Sequence, residues 1–264
     1  MADEEAPRRN EGYQDLRDLL ERFEEMGEIA HVDGADWNLE VGAISEMTAA
    51  EKPGRAKAML FDNIKGYPEG TRILAGGANA FKRLAVVLGL PEPKNEIDLV
   101  KSYRERSKRE FKLIPPVEVS TGPVMENIMR DDEVDVWKFP APFVHELDGG
   151  RYIGTDDAVI MRDPDTGWVN SATYRVMVHD EKTVGIWMSP GKQGRLISEK
   201  YFAKGEPCPV LISCGHDPLL FLVSHQEIDH EVDEFAFAGG MRGRALEVIP
   251  SEIHGLPIPA HAEI

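Results

Sequence analysis

The chain has 264 residues, 42% hydrophobic and 29% charged, a balance that allows a soluble globular protein with a sizeable core. Its 30 Lys and Arg against 47 Asp and Glu leave a formal charge of −17, which repels a phosphate backbone or an anionic leaflet and argues against nucleic-acid and membrane partners. No apolar run reaches about 18 residues, the N-terminal Met-Ala-Asp-Glu-Glu lacks the basic and apolar regions of a secretory signal, and Cys208 and Cys214 match no C-x-x-C pattern, so a cytoplasmic protein with two reduced, buried thiols is expected.

Residues 1–12 read as a polar tail. Leu16, Leu19, Leu20, Phe23 and Met26 then form one apolar stripe at helical spacing, closed by Gly27. A strand is expected at 28–32, and Asp36 suits the N-cap of a helix running to Ala50. Strands follow at 58–61 and 72–75, separated by the turn-rich Lys65-Gly-Tyr-Pro-Glu-Gly70. Phe81, Leu84, Ala85, Val87 and Leu88 predict an amphipathic helix that Gly89 and Pro91 end. Residues 95–111 predict a charged helix, stopped by Pro115-Pro116. Beyond the double proline, short β-type runs at 158–161, 173–178, 184–187, 209–212 and 219–223 alternate with turn signals, as in an antiparallel barrel or sandwich. The expected class is α+β, with residues 1–115 as an α+β region and 116–264 as a β-rich domain.

Three segments carry candidate chemistry. In Asn170-Ser-Ala-Thr-Tyr-Arg175 an arginine interrupts a run suited to a buried strand; its planar fork matches a carboxylate or phosphate, and an edge-strand Arg paired with a surface acid is the alternative. Ser189-Pro-Gly-Lys-Gln193 places Lys192 between tight turns, either as a phosphate-binding loop or as a solvated one. Asp229-His-Glu-Val-Asp-Glu234 runs into an apolar stretch and a glycine pair, supplying hard oxygen ligands or else an exposed acidic turn before a strand. None of the eight histidines forms H-E-x-x-H, and neither a P-loop, a G-x-G-x-x-G nor a G-x-S-x-G motif is present.

Taken in order, these segments resemble one family. Asp15-Leu-Arg-Asp-Leu19, Asp36-Trp-Asn-Leu-Glu40, Phe61-Asp-Asn-Ile-Lys-Gly-Tyr67, Asp148-Gly-Gly-Arg-Tyr-Ile153, Asp163-Pro-Asp-Thr-Gly167, Asn170-Ser-Ala-Thr-Tyr-Arg175, Ser189-Pro-Gly-Lys192, Glu234-Phe-Ala-Phe-Ala-Gly-Gly-Met-Arg-Gly243 and Pro259-Ala-His-Ala-Glu-Ile264 are similar to the UbiD-like, prenylated-FMN-dependent decarboxylases. The resemblance covers nearly the whole chain. It implies a split, flavin-reductase-like β-barrel at 116–264 that is incomplete at its C-terminal end, since family members continue past Ile264 into a further Glu-Gly element and an oligomerisation domain. It implies a carboxy-lyase acting reversibly and without oxidation on an aromatic or α,β-unsaturated acid. Implied cofactors are prenylated FMN, Mn²⁺ or Mg²⁺ held by Asn170, Gln193 (where the family has a His) and Glu234, and K⁺ near Ser224. Ser171, Ala172, Thr173, Arg175, Lys192 and Gln193 join these as cofactor-binding positions. Arg175 and Glu263 take the catalytic roles: Arg175 orients the carboxylate, and a Glu delivers the proton. A flavin prenyltransferase is the implied cofactor supplier, and the assembly is a homo-oligomer or a pair with a companion chain. The alternatives are a non-catalytic or half-site subunit needing a partner chain, and a plain FMN-binding barrel.

Overall fold

The computed structural model describes residues 12–51, 56–107 and 112–264. Helix α1 (Leu16–Glu25) begins where the Asp15 carboxylate accepts the Asp18 N–H, and it turns out through Gly27 at φ +68°. It buries Leu19 and Phe23, two residues of the expected stripe. Strand β1 (Ile29–Asp33) pairs in parallel with β2 (Ala58–Asp62), which pairs antiparallel with β3 (Arg72–Ala75). Helix α2 (Glu40–Ala49) starts later than expected. Asp36 is not its N-cap: the Asp36 carboxylate accepts the Asn38 N–H and binds Lys65, while Leu39, left-handed at φ +68°, stands at the helix start. Helices α3 (Phe81–Val87) and α4 (Glu96–Ser107) complete this half; the remainder of the charged helix expected to residue 111, and most of the expected tail, lie outside the described residues.

The guanidinium of Arg83, 0% exposed, pins α3 beneath this sheet. It donates to Glu28 Oε2 at 2.9 Å, to the Ala56 and Gly76 carbonyls at 3.0 and 3.2 Å, and to Asn79 Oδ1 at 2.5 Å. A buried cation is tolerated only with such a set of acceptors.

The second half holds β4 (Val117–Glu118), β5 (Arg151–Gly154), β6 (Ala158–Arg162), β7 (Val169–Ala172), β8 (Arg175–Val178), β9 (Val184–Trp187), β10 (Leu211–Ser213), β11 (Glu247–Pro250) and β12 (Pro257–Pro259). They form three three-stranded sheets, in the orders β10-β6-β7, β5-β8-β9 and β12-β11-β4, and no closed barrel is present among the described residues. The expected strand at 173–178 is shorter, because Thr173 and Tyr174 break the chain between β7 and β8. The expected strand at 219–223 is instead helix α6 (Pro218–His225): Pro218 opens the first turn, and Asp217 caps it by accepting the Leu219 N–H at 2.9 Å. Helices α5 (Gln193–Ala203) and α7 (Glu234–Arg242) fill the remaining segments.

Side-chain alternation along β6 divides the core. Ala158 and Ile160 join a cluster with Leu19, Phe23, Leu60, Leu220 and Phe235, so both halves of the chain share one core. Val159 and Met161 face the opposite way, into a cluster with Trp168, Tyr174, Val176 and Ile197. Cys208 and Cys214 are free thiols, half-buried rather than fully enclosed. No helix is long and apolar enough to cross a membrane among the described residues.

Arg83→Ala removes the buried cation shared by the Glu28 carboxylate and three further, partly buried acceptors. Urea denaturation is expected to show a loss of about 3–5 kcal/mol; a loss under about 1 kcal/mol would contradict this account.

Candidate functional site

Three helices pack against β7, and two of them, α5 and α7, begin with residues that reach its side chains. Helix α7 starts at Glu234 because Asp233 caps it, accepting the Phe235 and Ala236 N–H groups at 2.7 and 3.3 Å; the acidic run is a helix start, not a turn before a strand. Placed there, Glu234 is 3% exposed. Its Oε2 accepts the Ser171 N–H and its Oε1 accepts Asn170 Nδ2, each at 2.9 Å. Asn170 Nδ2 also donates to Gln193 Oε1 at 2.9 Å. Asn170, Gln193 and Glu234, far apart in sequence, therefore converge on one point beside the N-termini of α5 and α7, where the positive ends of the helix dipoles favour an anion.

The electrostatics of this point are unbalanced. Burial pushes the Glu234 carboxyl up to about 7 despite the donors from Ser171 and Asn170, and Asp233 adds a like charge. Asn170 Oδ1 is buried and has no hydrogen-bond partner. A carboxylate and two amide oxygens, one of them the orphaned Asn170 Oδ1, make a hard-oxygen donor set, which suits Mn²⁺ or Mg²⁺. No cluster of three or more His, Cys, Asp or Glu residues suited to a metal occurs among the described residues, so one carboxylate and two amides are what this point offers.

The other expected residues lie around it unevenly. Ser171 Oγ and Ser224 Oγ are 2.8 Å apart and buried. Thr173 Oγ1 meets His225 Nδ1 at 3.3 Å, and Ala172 pairs with Val159 in the sheet. Lys192 precedes α5 and reaches Glu227 at 3.8 Å, both exposed. Arg175 is exposed on β8, not buried as its run of neighbours suggested, and the alternative surface-acid partner is absent too among the described residues. The reason is strand parity: Val176 and Val178 take the core face, which turns Arg175 outward, directly across the ladder from Trp187, itself 72% exposed. Glu263 does not meet Arg175. It pairs with Arg17 at 2.9 Å, and its backbone is bonded to Cys214.

Two contributors escaped the sequence reading. Tyr174 is buried, and its hydroxyl accepts the Gly194 N–H at 3.2 Å, fixing the first turn of α5; a Cβ at Gly194 would sit 3.0 Å from that ring. Trp168 and His230 meet with ring centroids 5.1 Å apart and planes tilted by 45°, and they line a cleft next to Gln193. Only the Asp-Glu pair ahead of an apolar run, a helix-start signal, was available beforehand.

Asn170→Ala removes the donor shared by Glu234 and Gln193. Denaturant titration is expected to show about 2–4 kcal/mol of lost stability, the cost of a buried carboxyl left with one of its two donors plus a cavity; an unchanged midpoint would contradict the hydrogen-bond assignment.

Comparison with known proteins places this geometry in context. Residues 116–264 match the family model described as the 3-octaprenyl-4-hydroxybenzoate carboxy-lyase Rift-related domain, and residues 20–102 match the N-terminal domain of the same enzyme family. The chain is 32% identical over 263 residues to a pyrrole-2-carboxylic acid decarboxylase of Pseudomonas aeruginosa, covering 97% of this chain and 52% of the relative. It is 29% identical over 265 residues to ferulic acid decarboxylase 1 of Saccharomyces cerevisiae, covering 95% and 51%. Among solved structures, the closed form of the Sedimentibacter hydroxybenzoicus vanillic acid decarboxylase superposes with TM-score 0.87 at 26% identity, covering 95% of this chain and 53% of that one. An evolved dimeric UbiD-class enzyme from Pelotomaculum thermopropionicum, solved with prFMN, superposes with TM-score 0.81 at 26% identity over 94% and 55%. The chain spans about half the length of these relatives. Its mixed α+β fold and two matching domains make it a member of the UbiD family of carboxy-lyases.

Proposed function

We propose that this chain carries the cofactor-binding part of a prenylated-FMN-dependent carboxy-lyase that acts on an aromatic or α,β-unsaturated carboxylic acid. The observation that carries the reading is the convergence of Asn170, Gln193 and Glu234 on one buried point with an orphaned acceptor, at two helix N-termini. Such a point would take a divalent cation together with a phosphate: the cation would answer the Glu234 charge, and the positive ends of the two helix dipoles would favour the phosphate. Ser171, Ala172 and Thr173 continue along β7 and its exit, with Ser224 behind them and Lys192 at the mouth of α5. Ser171 and Ser224 are hydroxyls of a kind suited to K⁺. The division at residue 115 and the reading of 116–264 as an open split barrel belong to the same proposal, supported by the ranges of the two family models.

Loss of CO₂ from an sp² carbon leaves a carbanion, and prenylated FMN, when bound, supplies the electron-accepting chemistry that side chains lack. Arg175 presents a fork with no hydrogen-bond or ion-pair partner among the described residues, free to take the substrate carboxylate. Trp187, its ladder neighbour, offers a flat apolar wall to a planar acid. Glu263 supplies the proton that replaces CO₂ on the carbon. A second reading, in which a companion chain completes the site, is favoured by one observation: Glu263 is engaged by Arg17 and not by Arg175.

Two outcomes test the proposal. Arg175→Ala in protein loaded with prenylated FMN is expected to lose at least about 100-fold in kcat/KM, with an unchanged melting temperature because the side chain is exposed; retained turnover would sink the assignment. Titration calorimetry is expected to show Mn²⁺ binding that Glu234→Gln abolishes and Gln193→His tightens, whereas equal affinities in all three proteins would remove the metal from the reading.

A further inference from the structure

The turn between β5 and β6 contains an acid that the proposed chemistry does not use. Asp157 is 1% exposed, and neither of its carboxyl oxygens has a hydrogen-bond partner. The space it fills is made for it: a Cβ on Gly154 would come within 2.7 Å of its Cβ and 2.9 Å of its Oδ1. Strand pairing sets Ser213 opposite Ala158, so the antiparallel register carries Cys214 alongside Asp157. Cys214 is also where the Glu263 segment is fastened. Its N–H donates to the Ile264 carbonyl at 2.7 Å, and its carbonyl accepts the Glu263 and Ile264 N–H groups, both at 3.1 Å. The next residue, Gly215, lies against the Glu263 side chain, within 2.5 Å of Cγ for an added Cβ.

We propose that Asp157 is a positioning residue that controls the docking of Glu263 by its protonation: as a neutral acid it leaves the Glu263–Ile264 segment bonded to Cys214, and as a carboxylate it drives that contact open. The step is a single proton equilibrium with solvent. An uncharged carboxyl can sit beside the Cys214 thiol without donors at modest cost, whereas a carboxylate there has nothing to replace its lost hydration. Opening the segment admits water to it. The groups around Asp157 do not offset the charge: Asp156 in the same turn adds a like charge, Cys214 from the end of β10 is a thiol that burial and Asp157 push up to about 12, and Glu263 beyond it is already committed to Arg17. His225, from the end of α6, acts on Asp156 and is bonded to Thr173. Burial raises the Asp157 carboxyl to about 7, which puts the transition near neutral pH.

The functional consequence rests on the reading of Glu263 as the acid of the site, but the test does not. Hydrogen exchange of the whole 264-residue chain without substrate is read at the Cys214, Glu263 and Ile264 amides, each corrected for intrinsic exchange. An acid raised from 3.8 to about 7 on burial binds its proton more tightly in the closed state, so closure is favoured at low pH and weakens as pH rises. Protection is expected to fall on the order of 50-fold between about pH 5 and pH 8. Asp157→Asn is expected to flatten that response, and Asp156→Asn to keep it. A wild-type protection ratio near one, or the same pH response in Asp157→Asn, overturns the proposal. If the exchange behaves as expected and no aryl or acrylic acid is decarboxylated by the cofactor-loaded protein, the docking device stands and the proposed function falls.

Discussion

The hydrogen bonds of the Glu234 carboxylate organise the centre of this molecule. One oxygen holds the backbone of β7 through the Ser171 N–H, the other holds the Asn170 amide, and through that amide the start of α5. Strand β7 is thereby tied to two helix N-termini by a single buried side chain. The arrangement is costly when it contains no cation, because the carboxyl is dehydrated and its donors only partly compensate. The Arg83–Glu28 pair differs, because there acceptors surround the cation.

Around this centre the rigid and the open parts are separated by strand parity. The inward residues of β6 and β8 build two cores, one of them shared by both halves of the chain. The outward residues of β8 and β9 leave Arg175 and Trp187 side by side and exposed. Side chains on the outer face of a supported sheet can be changed without disturbing the core beneath them.

The acidic groups take three different environments, and their behaviour follows from those. Asp163 is nearly buried but meets Lys200 at 2.5 Å and two backbone donors, so its carboxyl is held below the usual range. Glu234 has donors without a cation. Asp157 has neither. Burial alone thus does not set the charge state: of the three, only Asp163, which meets a cation, is held below the usual carboxylate range.

Much of the architecture was legible in the amino-acid order because it depends on local rules. The stripe of Leu16, Leu19 and Phe23 with Gly27, the strand at Arg72–Ala75, the helix stopped by Gly89, and the run Asn170-Ser-Ala-Thr-Tyr-Arg175 all follow from periodicity, turn chemistry or motif order. Where sequence signals were two-valued, the tertiary structure decided. The run Leu219–Val223 suits a strand as well as a helix until the Asp217 cap and packing on β6 and β7 select the helix. Asp36 could cap a helix, yet Lys65, reached across the sheet, claims its carboxylate. That Glu234, Asn170 and Gln193 meet, that Arg175 faces outward, that Glu263 is held by Arg17 and that Asp157 lies dry beside Cys214 are facts about residues far apart in sequence. Only the folded chain brings such groups within bonding distance, and desolvation, which gives them their chemistry, exists only there.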